Sequence, residues 1–304
     1  VYSNERVNKN ELSTYEDLSS EKWKGKILVR SSSNAYNQAL MSSIIANKGS
    51  ELALEWSKKI VKKRFGLLGR NIDYSFSRGY FSQKFSEEHM SNCSYENFDL
   101  DSIELVSSIF SQDNIFGLNV TTPYKREVIP FLDQLSESSK KMQAVNTIRF
   151  EKDGRISGHN TDAYGFEKSL TELMSVLPKK ALILGSGGAS SAVAFVLDKL
   201  KIYYRYVSRN PQSDQISYQN VNADLLKDFK LIINATPIGT FPNIKLSPKL
   251  PYEAINRTHI LFDLIYNPLE TLFLKEGKKR GAIVSNGLKM LEYQAEKSWM
   301  IWNK

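Results

Sequence analysis

The chain has 304 residues, 41% of them hydrophobic and 24% charged, which suits about two folded domains and excludes a largely disordered polymer. One cysteine, Cys93, excludes an internal disulfide, and three histidines leave little material for a metal centre. The net charge of +8 comes from lysines and arginines scattered among acidic residues, which disfavours nucleic acid and favours anionic small molecules.

In chain order, residues 12–18 predict a short helix with Thr14 as its cap, 24–30 a turn into a strand, and 37–48 a helix. So few strands in residues 1–63 make a thin core for an independent domain. Gly66-Leu67-Leu68-Gly69 opens a strand-like run that leads into a loop, and 116–120 reads as a strand ending at Thr121-Thr122-Pro123. A helix is predicted next, because Pro123 suits a first helical turn and Val128, Phe131 and Leu132 share one face. From residue 181 onward, short apolar runs at 181–184, 203–207, 231–234, 260–264 and 282–284 alternate with helical patterns such as 192–200. That alternation predicts a parallel sheet covered on both faces. Residues 64–160 are also mixed α/β, less regularly. No apolar run approaches the ~18 residues of a membrane span and no signal pattern opens the chain, so a cytoplasmic protein without membrane contact is expected.

Gly185-Ser186-Gly187-Gly188-Ala189-Ser190 lies between a predicted strand and a predicted helix. Glycines there permit a tight turn and let a pyrophosphate approach backbone N–H groups. Ser190 takes the sixth place of the dinucleotide fingerprint, where Gly or Ala is usual, and a glycine connection without a ligand is the alternative. Arg209 follows the next strand, where an acid would serve NAD. A cation there suits a 2′-phosphate, hence NADPH, unless it is only a solvated side chain. Residues 234–239 place small and polar groups at another strand's carboxyl end, the ligand edge of an open α/β sheet.

In the first half, Ser75 and Ser77 would point the same way on an extended chain and can bind a carboxylate. Residues 119–125 put an amide, a hydroxyl and the Lys125 ammonium at one junction. Asn146 is an apolar-flanked amide, and Asp162 precedes a helix. Each has a plain alternative: turn serines, a solvated lysine, a satisfied core amide, an N-cap. Together they suit a polyhydroxylated acid, with Lys125 and Asp162 sharing proton transfer.

With Asp263-Leu264-Ile265-Tyr266-Asn267-Pro268 and the run 286–295, these motifs make residues 64–304 resemble the shikimate dehydrogenases. The resemblance implies an α/β fold of two domains. One is a substrate-binding domain, 64–162, completed by 288–304; the other is an NADP-binding, Rossmann-like doubly wound domain, 163–287. It further implies the reversible, NADP(H)-dependent reduction of 3-dehydroshikimate to shikimate in aromatic amino-acid biosynthesis, by a monomer or homodimer. Lys125 and Asp162 would be the catalytic pair. Ser75 and Ser77 would bind the substrate carboxylate, and Thr121, Asn146, Asp162 and Gln294 its hydroxyls, with Tyr266 close by. Gly185, Gly187, Gly188 and Ala189 would cradle the pyrophosphate, Arg209 would meet the 2′-phosphate, and Thr236 and Gly287 would complete the cofactor site. The family often carries a second arginine four residues after the first; Ser213 stands there, which implies a weaker preference for NADPH. A quinate-accepting relative of broader specificity is the neighbouring alternative.

Residues 1–63 look different. Tyr15-Glu16-Asp17-Leu18, Lys22-Trp23-Lys24-Gly25-Lys26-Ile27 and 30–38 resemble an internal piece of a periplasmic ferric-iron-binding protein of an ABC transporter. That resemblance would make Tyr36 an iron ligand, but one phenolate does not hold Fe(III), so no iron site is expected. The stretch reads as an α/β fragment joined near Lys63-Arg64.

Overall fold

The apolar runs of the sequence pair with one another as parallel strands. The computed structural model describes residues 11, 14–23, 27, 35–60, 62–73, 75–174, 176–212 and 214–304. The described residues up to Phe131, together with Ile148–Gly154, form one compact unit; Leu132–Thr147 and Arg155–Lys304 form the other. In chain order the elements are α1 (Ala35–Lys48), α2 (Ser50–Ile60), β1 (Lys63–Gly69), α3 (Phe76–Glu87), β2 (Cys93–Asp99), α4 (Val106–Phe110), β3 (Ile115–Val120), β4 (Gln134–Leu135), α5 (Glu137–Met142), β5 (Thr147–Phe150) and β6 (Ile156–His159). There follow α6 (Asp162–Thr171), β7 (Lys180–Leu184), α7 (Gly188–Lys199), β8 (Tyr203–Ser208), β9 (Gln215–Ser217), α8 (Ala223–Asp228), β10 (Leu231–Asn234), β11 (Ile260–Asp263), α9 (Leu272–Lys279), β12 (Ile283–Ser285) and α10 (Leu288–Trp302).

In the first unit, β1 is flanked by β2 and β3, both parallel to it. Phe65, Leu67, Leu68, Leu118 and Val120 are buried there. Phe81 of α3 stacks on Tyr95 of the sheet, and Phe85 meets Phe65 with its ring tilted by 46°. Gly66 has no room for a side chain, since a Cβ would sit 2.4 Å from the Phe98 ring.

The second unit carries a six-stranded parallel sheet in the order β12-β11-β10-β7-β8-β9. Successive side chains of a strand face opposite sides, so a continuous apolar run feeds two cores. Ala181, Ile183, Leu231, Ile233, Ile260 and Phe262 join one core with α6 and α7 residues, whereas Leu182, Leu184, Ile232 and Leu261 join the other with α8 and α9 residues. This is the doubly covered parallel sheet that the sequence predicts. The chain runs from β7 outward to β9, then returns to place β10 on the other side of β7. The carboxyl ends of β7 and β10 thus flank the switch point where open α/β sheets bind ligands.

Two local expectations change, and a third falls almost wholly outside the described residues. Residues 16–19 form only a 3₁₀ turn, and Thr14 offers its backbone N–H to the Asp17 carboxylate at 2.8 Å rather than a capping hydroxyl. The strand expected over 24–30 lies outside the described residues apart from Ile27, which is in neither helix nor strand. The helix expected after Pro123 is a series of turns ending in a 3₁₀ segment, Ile129–Phe131. Pro130 is the physical reason: it has no N–H to continue a helical ladder, and the neighbouring N–H groups of Ile129 and Phe131 bond three residues back, to Arg126 and Val128.

Among the described N-terminal residues, α1 and α2 bury Ile44, Ala53 and Trp56 against Leu18, Leu40 and Met41, a cluster made only of this segment's own residues. The Trp56 indole N–H donates to the Tyr15 carbonyl at 2.9 Å. Among the described residues no helix is long and apolar enough to cross a membrane.

Candidate active site

Ser75, Ser77, Thr121 and Lys125 belong to the first unit, and Asn146, Asp162, Tyr266 and Gln294 to the second. Ser75 and Ser77 do not lie on an extended chain. Ser75 is the N-cap of α3, and its hydroxyl accepts the Ser77 N–H at 3.2 Å, so the helix begins between the two serines. Ser77 is buried and hydrogen-bonded to the Tyr95 phenol, which in turn donates to Asn119 Oδ1 at 2.8 Å. Burial pushes the Tyr95 phenol far above its ordinary value, and the Ser77 bond pulls it partly back.

Thr121 leaves the carboxyl end of β3, its N–H bonded to the Leu68 carbonyl at 2.9 Å. Lys125 stands four residues on, half-buried, directly after the fully buried Tyr124. The Tyr124 hydroxyl donates to the Leu100 carbonyl at 2.6 Å and accepts from Arg70 Nε at 3.2 Å. The turn that presents Lys125 is therefore anchored by its neighbour.

The second unit assembles its polar residues around Asn146, which is 3% exposed. Asn146 Nδ2 donates to Thr161 Oγ1 at 3.0 Å and to Asp162 Oδ1 at 2.8 Å. Its Oδ1 accepts the Thr161 N–H at 2.7 Å and the Thr147 hydroxyl at 3.1 Å. Gln294 Oε1 accepts from the Thr161 hydroxyl at 3.4 Å, and Ser298 joins Thr147 at 2.8 Å. The network fixes the Asp162 carboxylate at the first turn of α6. Asp162 is not the cap; Asn160 Oδ1 accepts the N–H groups of Asp162 and Ala163 at 3.1 and 3.4 Å. Gln294 comes this close because α6 has a glycine facing α10, where a Cβ on Gly165 would lie 2.3 Å from the Met290 carbonyl oxygen.

At the switch point, Gly185 takes φ +97°, a conformation that favours glycine, and the methyl of Thr236, just beyond β10, would lie 2.7 Å from any Cβ there. Gly187 and Gly188 face open space, and no side chain caps α7. A helix N-terminus without a side-chain cap, reached past glycines with open space around them, fits a pyrophosphate. Ser190 suits its unusual place: it is buried, and its hydroxyl donates to the Gly187 carbonyl at 2.6 Å. Arg209 is exposed one residue beyond β8, and Ala189 lies in the first turn of α7. Gly287 is held against β11's exit, where a Cβ would meet the Leu264 carbonyl oxygen at 2.1 Å. Tyr266 is half-buried in that exit, and Ser213 lies outside the described residues.

Sequence reading missed the supports: Thr147 and Ser298 in one network, and Asp263 with Thr271 in another. Hydroxyl residues within apolar helices and strands were the available signal. Asp263 is fully buried, accepting from Thr271 Oγ1 at 2.6 Å, Asn234 Nδ2 at 3.1 Å and the Ile265 N–H at 3.1 Å. Burial nonetheless pushes its pKa up to about 6, against the hydrogen bonds that favour the anion. A raised carboxyl pKa means that its contribution to stability is full below the unfolded value and lost as pH rises through about 6. Relative to Asp263→Asn, the wild type is expected to lose on the order of 2–3 kcal/mol between pH 4 and 8. Denaturant midpoints of both proteins across that range check it, and parallel curves would refute it.

Strand order and glycine turn put the second unit among doubly wound dinucleotide-binding proteins. Residues 67–148 match the family model of the shikimate dehydrogenase substrate-binding domain. The NADP(+) shikimate dehydrogenase of Pelagibacter ubique is 39% identical over 257 residues, spanning 80% of this chain and 94% of that one. A crystal structure of a shikimate dehydrogenase in complex with NADP+ superposes with a TM-score of 0.70 at 34% identity, over 79% of this chain and 90% of that one. The Thermus thermophilus enzyme in complex with NADP(H) and shikimate gives 0.68 at 32% identity, over 79% and 93%. The chain belongs to the shikimate dehydrogenase family.

Proposed function

We propose that this chain catalyses the reversible, NADP-dependent reduction of 3-dehydroshikimate to shikimate. The observation that carries the reading is the Asn146 network, which holds a carboxylate and the Gln294 amide as neighbours in a member of this family. Residues 64–162 with 288–304 are read as the substrate-binding domain and 163–287 as the NADP-binding domain. When bound, the cofactor supplies a hydride to the substrate ketone. Lys125 Nζ and the Asp162 carboxylate hold and move the proton that balances it. Ser75 and Ser77 bind the substrate carboxylate, while Thr121, Asn146, Gln294 and Tyr266 orient the ring. Gly185, Gly187, Gly188 and Ala189 hold the pyrophosphate, with Thr236 and Gly287 bordering the cofactor.

The protein is read as cytoplasmic and as a monomer or homodimer, without nucleic acid. Residues 1–63 are read as an appended fragment of a ferric-iron-binding protein with no iron chemistry of its own. The apolar cluster that its described residues form with one another and the 78% exposure of Tyr36 support that reading.

Shikimate-dependent reduction of NADP+, followed by NADPH absorbance beside quinate and NAD+, tests the activity. Turnover with shikimate and NADP+ supports it; no turnover by folded protein refutes it. Arg209→Glu is expected to lower kcat/KM for NADP+ by roughly 10- to 100-fold while sparing NAD+, because a charge-assisted hydrogen bond becomes a repulsion. An unchanged ratio would remove Arg209 from the cofactor site.

A further inference from the structure

β8 and β9 run parallel with Ser208 opposite Ser217, so the residues that follow, Arg209 and Tyr218, leave the carboxyl edge of the sheet side by side. The Tyr218 ring packs on the apolar core around Leu226, Phe229 and Phe273. Its hydroxyl oxygen is buried, yet among the described residues it has no hydrogen-bond partner. Two neighbouring hydroxyls are engaged elsewhere: that of Tyr252 donates to the Pro248 carbonyl at 2.9 Å, and that of Ser217 donates to Asn220 Oδ1 at 2.5 Å. Burial raises the Tyr218 phenol, and the Arg209 guanidinium is near enough to draw it back down. An unmet donor beside a cation is costly in the free protein and is suited to an anion that both can reach.

We propose that Tyr218 is a specificity residue for the cofactor, its hydroxyl donating to the ribose 2′-phosphate that Arg209 neutralises. This rests on the NADP reading above. The phenol adds a donor selective for the phosphomonoester, and a cofactor with a bare ribose gains less from it. Replacement by phenylalanine therefore has two effects of opposite sign. The free protein sheds an unsatisfied buried hydroxyl and melts higher, by roughly 2–4 °C. The 2′-phosphate loses a charge-assisted hydrogen bond, and its affinity falls about tenfold. A tyrosine with only a packing role would give neither.

The test is calorimetric binding of 2′,5′-ADP, 5′-AMP and NADP+ to the full chain and to Tyr218→Phe, with melting curves of both. Weaker 2′,5′-ADP binding, unchanged 5′-AMP binding and a higher melting point support the proposal. Equal 2′,5′-ADP affinities in a wild type that binds NADP+ overturn it, as does a lower melting point. A wild type that binds neither NADP+ nor 2′,5′-ADP overturns the NADP reading itself. If the variant does not fold, the wild type decides through the ultraviolet difference between its 2′,5′-ADP and 5′-AMP complexes. A perturbed tyrosine band is expected there, and a flat trace overturns the assignment.

Discussion

Lys125→Ala is expected to lower kcat by about 10²–10⁴-fold, the range that a positioned proton-transfer group supplies. Little of that loss should come from unfolding. Lys125 is half-buried, and its neighbour Tyr124 anchors the turn through the Leu100 carbonyl and Arg70. KM for NADP+ should therefore stay near wild type. Asp162→Asn should fall comparably, because the Asn146 amide can still reach the amide oxygen while the carboxylate proposed to carry the proton is gone. If the two residues share one proton, the double variant will be scarcely slower than either single variant. Steady-state kinetics of the three proteins, with circular dichroism to check folding, decide the matter. Full activity in Lys125→Ala, or strictly multiplicative losses, would dissolve the pair.

Gly165→Ala and Gly79→Ala are expected to move stability in opposite directions. Both glycines lie inside helices, α6 and α3, and helix propensity alone makes alanine better at each by about 0.5–1 kcal/mol. A methyl group on Gly79 would meet nothing within 4 Å, so that gain should be realised. At Gly165 the methyl would meet the Met290 carbonyl oxygen at 2.3 Å and the Gln294 backbone nitrogen at 3.1 Å. Backbone cannot rotate aside, so α10 must move away, at a cost of about 1–3 kcal/mol. Melting points should fall by roughly 2–4 °C per kcal/mol at Gly165 and rise at Gly79. Gln294 moves with α10, so KM for shikimate should also rise in Gly165→Ala. Equal stabilisation of both variants would contradict the close approach.

The second unit is the most legible part of the chain. Its strands are buried on both faces, so runs such as Ala181-Leu182-Ile183-Leu184 are continuously apolar, and the glycine cluster falls where β7 turns into α7. Ser75 and Ser77 are legible as a pair but not in conformation, because a serine that caps its own helix looks the same as one on an extended chain. The helix expected after Pro123 does not form because the missing N–H of Pro130 outweighs the shared apolar face.

The family and the candidate site residues are legible in the chain alone, because motif spacing within one strand-turn-helix unit is local and survives without coordinates. Tertiary structure alone decided the supports. Thr147 and Ser298 are separated by 151 positions and meet at 2.8 Å, and only the packing of α10 on α6 explains why Gly165 must be glycine. The orphan hydroxyl of Tyr218 is of the same kind, since whether a buried donor is satisfied depends on what the fold brings to it, which neither composition nor spacing encodes.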